Sequence, residues 1–422
     1  MKFVVASYGT RGDIEPAVVV GRELARRGHN VCMAVPPDSV GFAESAGLST
    51  FAYGLPTQTW LDVYRNFWTS FFRGFWKIRT LRGLWRDMWD LSDQCWTQMS
   101  ATLTSLAEGA DVLFTGQSYQ EPVANIAEHH GIPLVTLHHV PIRPNGYWVP
   151  ILPPRLSRWA MEMFDWLAWL LNKKVEDAQR RDLGLPKAKN HPARRIAELG
   201  ALEIQAYDEA SFPKLAAEWA RWEGHRPFVG ALTMELTTEN DDEVAQWIAS
   251  GPPPICFAFG SIPVKSPTDA VEMISTACAA LGQRALICAG WTDFGDISHA
   301  AEVKVVGAVN YGNVFPACRA VVHNGGSGTT AASLRAGVPT LILSMDANQT
   351  IWGAQLKRLG VGTSRKFSAT TRKTLVSDLR RILAPEMAVR ARELGTRMTA
   401  PTESASRTAD LMEKFAGSRR VA

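Results

Sequence analysis

The sequence predicts an α/β protein made of two Rossmann-like, doubly wound parallel-sheet domains that face each other across a cleft. Three observations predict it. Short β-rich runs alternate with helical patterns, the alternation runs through both halves, and glycine-rich turns fall where strands give way to helices. With 422 residues the chain is also too long for one ordinary core, since a domain takes ~100–200.

Lys2–Ser7 reads as a buried strand, and Ile14–Arg27 carries apolar residues at helical spacing up to Gly28, a C-cap. Val31–Val35 is the next strand, stopped by Pro36-Pro37. Strand Ala110–Thr115, helical Tyr119–His130 and strand Ile132–His138 repeat the cycle, giving a first domain over 1–206. Residues 207–243 hold few strand signals and many charges and turn formers, and read as a linker. The second domain, 244–400, has strands at Ile255–Phe259, Ala285–Ala289, Lys304–Val306, Ala320–His323 and Thr340–Ser344. Its helical patterns are Ala270–Leu281, Thr329–Ala336, Gln349–Leu359 and Arg372–Leu383. A last helical pattern, 401–422, is expected to pack back on the first domain.

Composition excludes several classes. A chain that is 46% hydrophobic and 20% charged folds as a globule, and a net charge of +4 does not argue for nucleic acid. The six cysteines lie far apart in apolar segments, as small core residues of a reducing compartment and not as zinc ligands. No leader-like start and no apolar run of ~18 residues is seen, so a cytoplasmic protein is expected. Ten of the fifteen tryptophans crowd between Trp60 and Trp169, which marks that region as unusual.

Two turns could carry chemistry. His323-Asn324-Gly325-Gly326-Ser327-Gly328-Thr329-Thr330 follows a buried strand and opens an Ala-rich helix. Its glycines permit close approach of a ligand, and the first helical amides form an anion site suited to a diphosphate. A tight turn without a ligand is the plainer reading. Gly9-Thr10-Arg11-Gly12-Asp13-Ile14-Glu15-Pro16 follows the first strand. Asp13 is there either a helix-capping carboxylate worth ~1 kcal/mol or a general base that takes the proton of an attacking hydroxyl.

GTRGDIEP at 9–16 and VVHNGGSGTTAASLRAGVP at 321–339 together resemble the family 1 glycosyltransferases of the GT-B fold. Within that family the likeness is greatest to the vancomycin-group enzymes, the sterol glucosyltransferases and, above all, the mycobacterial glycopeptidolipid glycosyltransferases. The resemblance implies that the first domain binds the acceptor and the second a nucleotide-sugar donor. It makes Asp13 the base of an inverting single displacement, with Thr10 near the acceptor hydroxyl and Arg11 and Gly12 near the donor phosphates. Gly260 and Ser261 match a loop that reaches the diphosphate, while Trp291, Val309 and Asn310 lie where the family holds the base. His323, Asn324, Gly325, Gly326, Ser327, Gly328 and Thr329 match the diphosphate loop. Asn348 and Gln349 match the pair that reads sugar hydroxyls, with Trp352 just beyond. No metal and no cofactor is expected, because helix dipole and donors take the leaving-group charge. Relatives carry His where this chain has Asn324, and Asp where it has Asn348, which points to altered donor choice.

Trp60–Arg86 interleaves aromatics with six basic residues and a single acid. It and Arg158–Leu171 read either as membrane-contacting surfaces or as core-packing helices of the first domain. His138 and His139 end a strand facing the cleft and, with Gln117, are assigned to the acceptor side. Assisting the base, lining the pocket and merely packing locally all stand open there, and lining is favoured for one of the two. Asp13 is expected to act without a second carboxylate. His129 and His130 close a helix and cap it.

The activity implied is inverting transfer of a hexose, a 6-deoxyhexose such as rhamnose or 6-deoxytalose, from a dTDP-sugar to a glycopeptidolipid or glycolipid hydroxyl. Ala332, where uridine-using relatives carry a ribose-binding Glu, favours dTDP over UDP. The expected partners are the nucleotide sugar and a lipid-like or lipopeptide acceptor, with peripheral contact at the inner membrane face and no nucleic acid. Two alternatives stand beside it. One is a UDP-glucose-dependent sterol or small-molecule glucosyltransferase, the other a non-catalytic binding partner of an active paralogue.

Overall fold

A computed structural model describes residues 1–60, 62–63, 78–147, 152–222, 224–259, 266–289, 301–345 and 347–420. Most of the aromatic segment 60–86, together with Gly260, Ser261 and Trp291, lies outside the described residues, as does the side chain of Asn348. The chain divides into two compact units. The first comprises 1–206, 217–232 and 402–422, and the second 207–216 and 233–401. The stretch read as a linker is thus shared between them, and it folds in part as the short helix Pro213–Trp219.

Six parallel strands form the sheet of the first unit: β1 (Lys2–Ala6), β2 (Asn30–Val35), β3 (Ser49–Ala52), β4 (Val112–Thr115), β5 (Leu134–His138) and β6 (Leu202–Gln205). Their order is β3-β2-β1-β4-β5-β6. The second unit has β7 (Ile255–Ala258), β8 (Ala285–Cys288), β9 (Val303–Val306), β10 (Ala320–His323), β11 (Thr340–Ser344) and β12 (Gly362–Lys366). Their order, β12-β11-β10-β7-β8-β9, is the same winding again. In each sheet the chain reverses direction beside its first strand, between β1 and β4 and between β7 and β10. Ligands of doubly wound sheets bind outside the carboxyl ends of the strands at that switch.

Side chains alternate between the two faces of a strand, and both faces are buried here. In β7, Ile255 and Phe257 pack with Ala270, Ile274 and Leu379 on one face. Cys256 and Ala258 pack with Val244, Val314 and Phe315 on the other. In the first unit Val4, Ala6 and Leu113 pack under Cys95, Met99 and Leu103 of the long helix Ile78–Ala107.

Three strands escape the sequence reading: β3, β6 and β12. All three are sheet edges, where exposed polar residues such as Ser49 and Lys366 are tolerated, while in β6 the buried Glu203 is paired with Arg143 and Arg226. The final helix, Pro401–Arg420, belongs from Thr402 onward to the first unit. Arg27 holds it with bonds of 2.6 Å to Asp410, 2.9 Å to Glu413 and 3.0 Å to the Ser406 carbonyl.

The helix Pro154–Asp182 is fixed to the first unit through buried polar groups. Glu176 pairs with Arg195 and accepts from Trp169 Nε1 at 2.7 Å. Gln179 accepts from Trp96 Nε1 at 2.9 Å and from Asn125 at 2.8 Å, and Arg180 donates to Glu128 at 2.7 Å. Removing one partner strands a buried charge. Arg195→Ala is therefore expected to lower stability by about 3–5 kcal/mol in urea unfolding; a loss below about 1 kcal/mol would show that Glu176 finds water or another cation.

Candidate active site

The turn after β1 is built around Asp13. The helix Arg11–Arg26 has Thr10 as its N-cap, so Asp13 sits in the first turn and not at the cap itself. Its Oδ2 accepts from the Thr10 amide at 2.8 Å and from Thr10 Oγ1 at 2.9 Å. Gly9, at φ +135°, lies under the carboxylate, and a Cβ there would come within 2.5 Å of Oδ2. Only glycine leaves room. Ser7 Oγ donates to the Asp13 carbonyl at 3.0 Å, and Thr57 Oγ1 to the Gly9 carbonyl at 2.9 Å.

The other carboxylate oxygen meets a histidine. His139, directly after β5, places Nε2 3.4 Å from Asp13 Oδ1, and its amide donates to Gln117 Oε1 at 3.3 Å. Burial holds the His139 pKa below the ordinary histidine value, with Asp13 acting the other way. The structure thus gives Asp13 an imidazole neighbour. Thr10, Asp13, Gln117 and His139 come together at the carboxyl ends of β1, β4 and β5.

His138 does not join them. It is fully buried within β5, with Nδ1 3.2 Å from Gln205 Nε2, and burial with Arg143 nearby pushes its pKa well down. The expectation that it lines the acceptor side is corrected, since alternation along the strand turns it away from its neighbour. Arg11 leans along its own helix, with Nε 3.4 Å from Glu15 and the guanidinium 4.7 Å from the Phe42 ring. Gly12 is exposed beside it. The aromatic group close by, with Tyr8 5.1 Å from Tyr119 between ring centres and Tyr119 at φ 56°, was not read from the sequence. A left-handed tyrosine is a strained residue, here at the start of the helix Gln120–His130.

In the second unit the turn after β10 is shaped by His323 and glycine. The Gly325 amide donates to His323 Nδ1 at 2.9 Å, and that of Gly326 to Asn324 Oδ1 at 3.3 Å. Gly325 stands at φ +96°, where a Cβ would come within 2.8 Å of Ile342. The helix Ser327–Arg335 follows, its backbone bonding beginning with the Thr330 amide to the Gly326 carbonyl. The amides of Ser327, Gly328 and Thr329 precede that bond, and the first turn carries no acid. Ser327 Oγ accepts from Trp352 Nε1 at 3.1 Å, leaving its hydroxyl proton to point elsewhere. Trp352, which the sequence reading set just beyond Asn348 and Gln349, packs 5.1 Å from Phe212.

His323 is buried and its pKa is pushed down to about 3, so it is neutral and shapes the backbone. Gln349 is buried, and its Oε1 accepts from the Met345 amide at 2.6 Å. Val309 and Asn310 are also buried, Asn310 taking the Gly312 amide at 2.9 Å on its side chain. Its own amide donates to Asp241 at 2.8 Å.

Two family descriptions match: the glycosyltransferase family 28 N-terminal domain over residues 3–137 and the erythromycin biosynthesis protein CIII-like C-terminal domain over 292–411. An uncharacterized glycosyltransferase of Mycobacterium tuberculosis is 56% identical over 99% of both chains. The glycosyltransferase GtfE of Amycolatopsis orientalis is 27% identical over 100% of this chain and 99% of its own. Among solved structures, the kitacinnamycin glycosyltransferase superposes with a TM-score of 0.72 at 17% identity, covering 98% of this chain and 99% of its own. The glycosyltransferase VinC in complex with dTDP gives 0.63 at 17%, covering 99% and 100%. The chain therefore belongs to the family 1 glycosyltransferases and has the GT-B fold. It is a glycosyltransferase.

The neutral, buried His323 makes a measurable demand on pH. The unfolded chain protonates this residue near pH 6.5, while the folded chain resists down to about 3. Folding thus loses stability as pH falls below ~6.5, by about 2 kcal/mol at pH 5. His323→Asn keeps an acceptor for the Gly325 amide but cannot titrate, so the drop from pH 7 to 5 should shrink by about that amount. Parallel curves for the two proteins would contradict the assignment.

Proposed function

We propose that the chain transfers a 6-deoxyhexose, rhamnose or 6-deoxytalose, from a dTDP-sugar to a hydroxyl of a glycopeptidolipid or glycolipid, with inversion and without a metal. The observation that carries the chemistry is the carboxylate of Asp13, fixed by Thr10 on one oxygen and met by His139 on the other. The acceptor oxygen attacks the anomeric carbon while its proton passes to Asp13. The bond from that carbon to the diphosphate breaks, and the charge left on the phosphate is taken up by the amides of Ser327, Gly328 and Thr329 and by the Ser327 hydroxyl. Thr10 and Gln117 serve the acceptor. Ser261, Trp291 and Asn310 serve the donor, and Asn348 with Gln349 reads its sugar. The peripheral membrane contact belongs to the same reading of a lipid-like acceptor.

The resemblance sets Ala332 where many uridine-using relatives carry a ribose-binding Glu, which favours a deoxyribose donor. The dTDP in the VinC complex agrees with that choice. A second division of labour also fits the geometry. Because Oδ2 already takes two bonds from Thr10, His139 could itself receive the proton, with Asp13 stabilising the imidazolium that results.

Transfer from dTDP-rhamnose to a deglycosylated lipopeptide tests the reading. Asp13→Asn is expected to lower kcat by about 10²–10⁴ and leave the Kd for dTDP unchanged, whereas His139→Gln costs about tenfold. A larger loss in His139→Gln would assign the proton to the imidazole. Full turnover in both variants would remove the base from this turn.

A further inference from the structure

The Pro154–Asp182 helix turns an apolar face outward. Among the described residues, nine of the thirteen exposed large hydrophobics lie between Leu152 and Leu171. Phe164 is 70% exposed and Trp159 59%, with Leu156, Trp166, Leu167 and Leu171 beside them. At ~100° per residue these side chains fall in one stripe about 160° wide and, over Leu156–Leu171, roughly 23 Å long. The opposite side of the helix holds Met161, Trp169, Glu176 and Gln179, buried in the first unit. The polar network around Glu176 and Arg195 therefore fixes which face points out.

One turn beyond Leu171 the same outer face becomes cationic. Lys173, Lys174, Arg181 and Lys187 line a groove of about 880 Å³ with Leu170, Leu185 and Asp177, and the exposed Asp182 lies 3.8 Å from Arg181. Asp177 lies 3.4 Å from Lys173. Arg155 stands exposed at the other end of the stripe. Glu162 and Asp165 fall off its edge by helical angle. No helix among the described residues is long and apolar enough to cross a membrane.

We infer that this face docks the protein on an anionic lipid surface, with the Trp159–Phe164–Trp166 stripe entering the headgroup layer and the Lys174–Arg181–Lys187 groove seating an anionic headgroup. Three features favour lipid over a second copy of the chain. The stripe is rich in tryptophan, phenylalanine and leucine, which settle at the boundary between headgroups and acyl chains. Cations frame it, as negative surface potential requires. An antiparallel self-contact centred on the stripe would instead bring Lys174 of one copy close to Arg155 of the other. The inference rests on the proposed lipid-like acceptor, because docking brings the first unit to where such an acceptor resides.

Flotation with phosphatidylcholine vesicles carrying about 30 mol% phosphatidylglycerol tests it on the full chain. The protein should float with these vesicles and about tenfold less with phosphatidylcholine alone or at ~1 M salt. Phe164→Glu should abolish flotation, and the double variant Lys174→Glu/Arg181→Glu should lower it about tenfold. All three positions are exposed, so near-UV circular dichroism should be unchanged. Absence of flotation by the native chain, or flotation unaltered in both variants, would overturn the proposal. So would a dimer in size exclusion that Phe164→Glu dissociates without any vesicle binding. A chain that floats but transfers no sugar would sink the catalytic reading alone. One that transfers to a soluble acceptor yet never floats would sink only this one.

Discussion

A strand that feeds a helix at the carboxyl edge of a parallel sheet delivers a cluster of amides with no partner inside that helix. The two units answer that constraint differently. In the first unit the helix supplies its own anion. Asp13 folds back on Thr10 and neutralises the turn. In the second unit the helix Ser327–Arg335 has no acid in its first turn, and glycine with a shaping histidine stands in place of a side-chain cap. One helix start is closed by a carboxylate. The other is open to an anion.

The same winding therefore presents two different helix starts. A carboxylate held by fixed donors is a proton acceptor of defined geometry, and His139 adds a second polar group whose charge burial opposes. An open helix start, tightened by Trp352 through Ser327, is suited to charge that develops on a departing phosphate. Among the described residues, the contacts that shape each turn come from its own unit.

Much of this was legible in the sequence, and the failures have physical causes. Central strands such as Val4–Ala6 and Ala320–Val322 announce themselves because both of their faces are buried. The edge strands β3, β6 and β12 do not, because exposed edges tolerate Ser49 and Lys366 and β6 holds Glu203 in ion pairs with Arg143 and Arg226. Asp13 and the Gly325–Thr329 turn were visible through their spacing behind strands. The Asp13–His139 contact was not, since it joins residues far apart in the chain through strand order alone. His138 misled for a related reason: adjacent histidines at a strand end face opposite ways, and composition cannot say which one reaches the surface. The helix Pro154–Asp182 fitted a surface and a core reading equally well by pattern. Its exposed aromatic stripe lies opposite a buried side that mixes Met161, Trp169 and Val175 with Glu176 and Gln179.

The contrast between the two helix starts can be measured by making the second resemble the first. Gly328 has an ordinary φ, and a Cβ there would meet only Thr233 Cγ2, at 3.5 Å, so Gly328→Asp should fold. A titration of dTDP against this variant, with Gly328→Asn as the uncharged control, is the most direct measurement. The account predicts that the aspartate weakens dTDP binding about tenfold or more while the asparagine leaves it nearly intact. Equal affinity for dTDP in the two variants would contradict it.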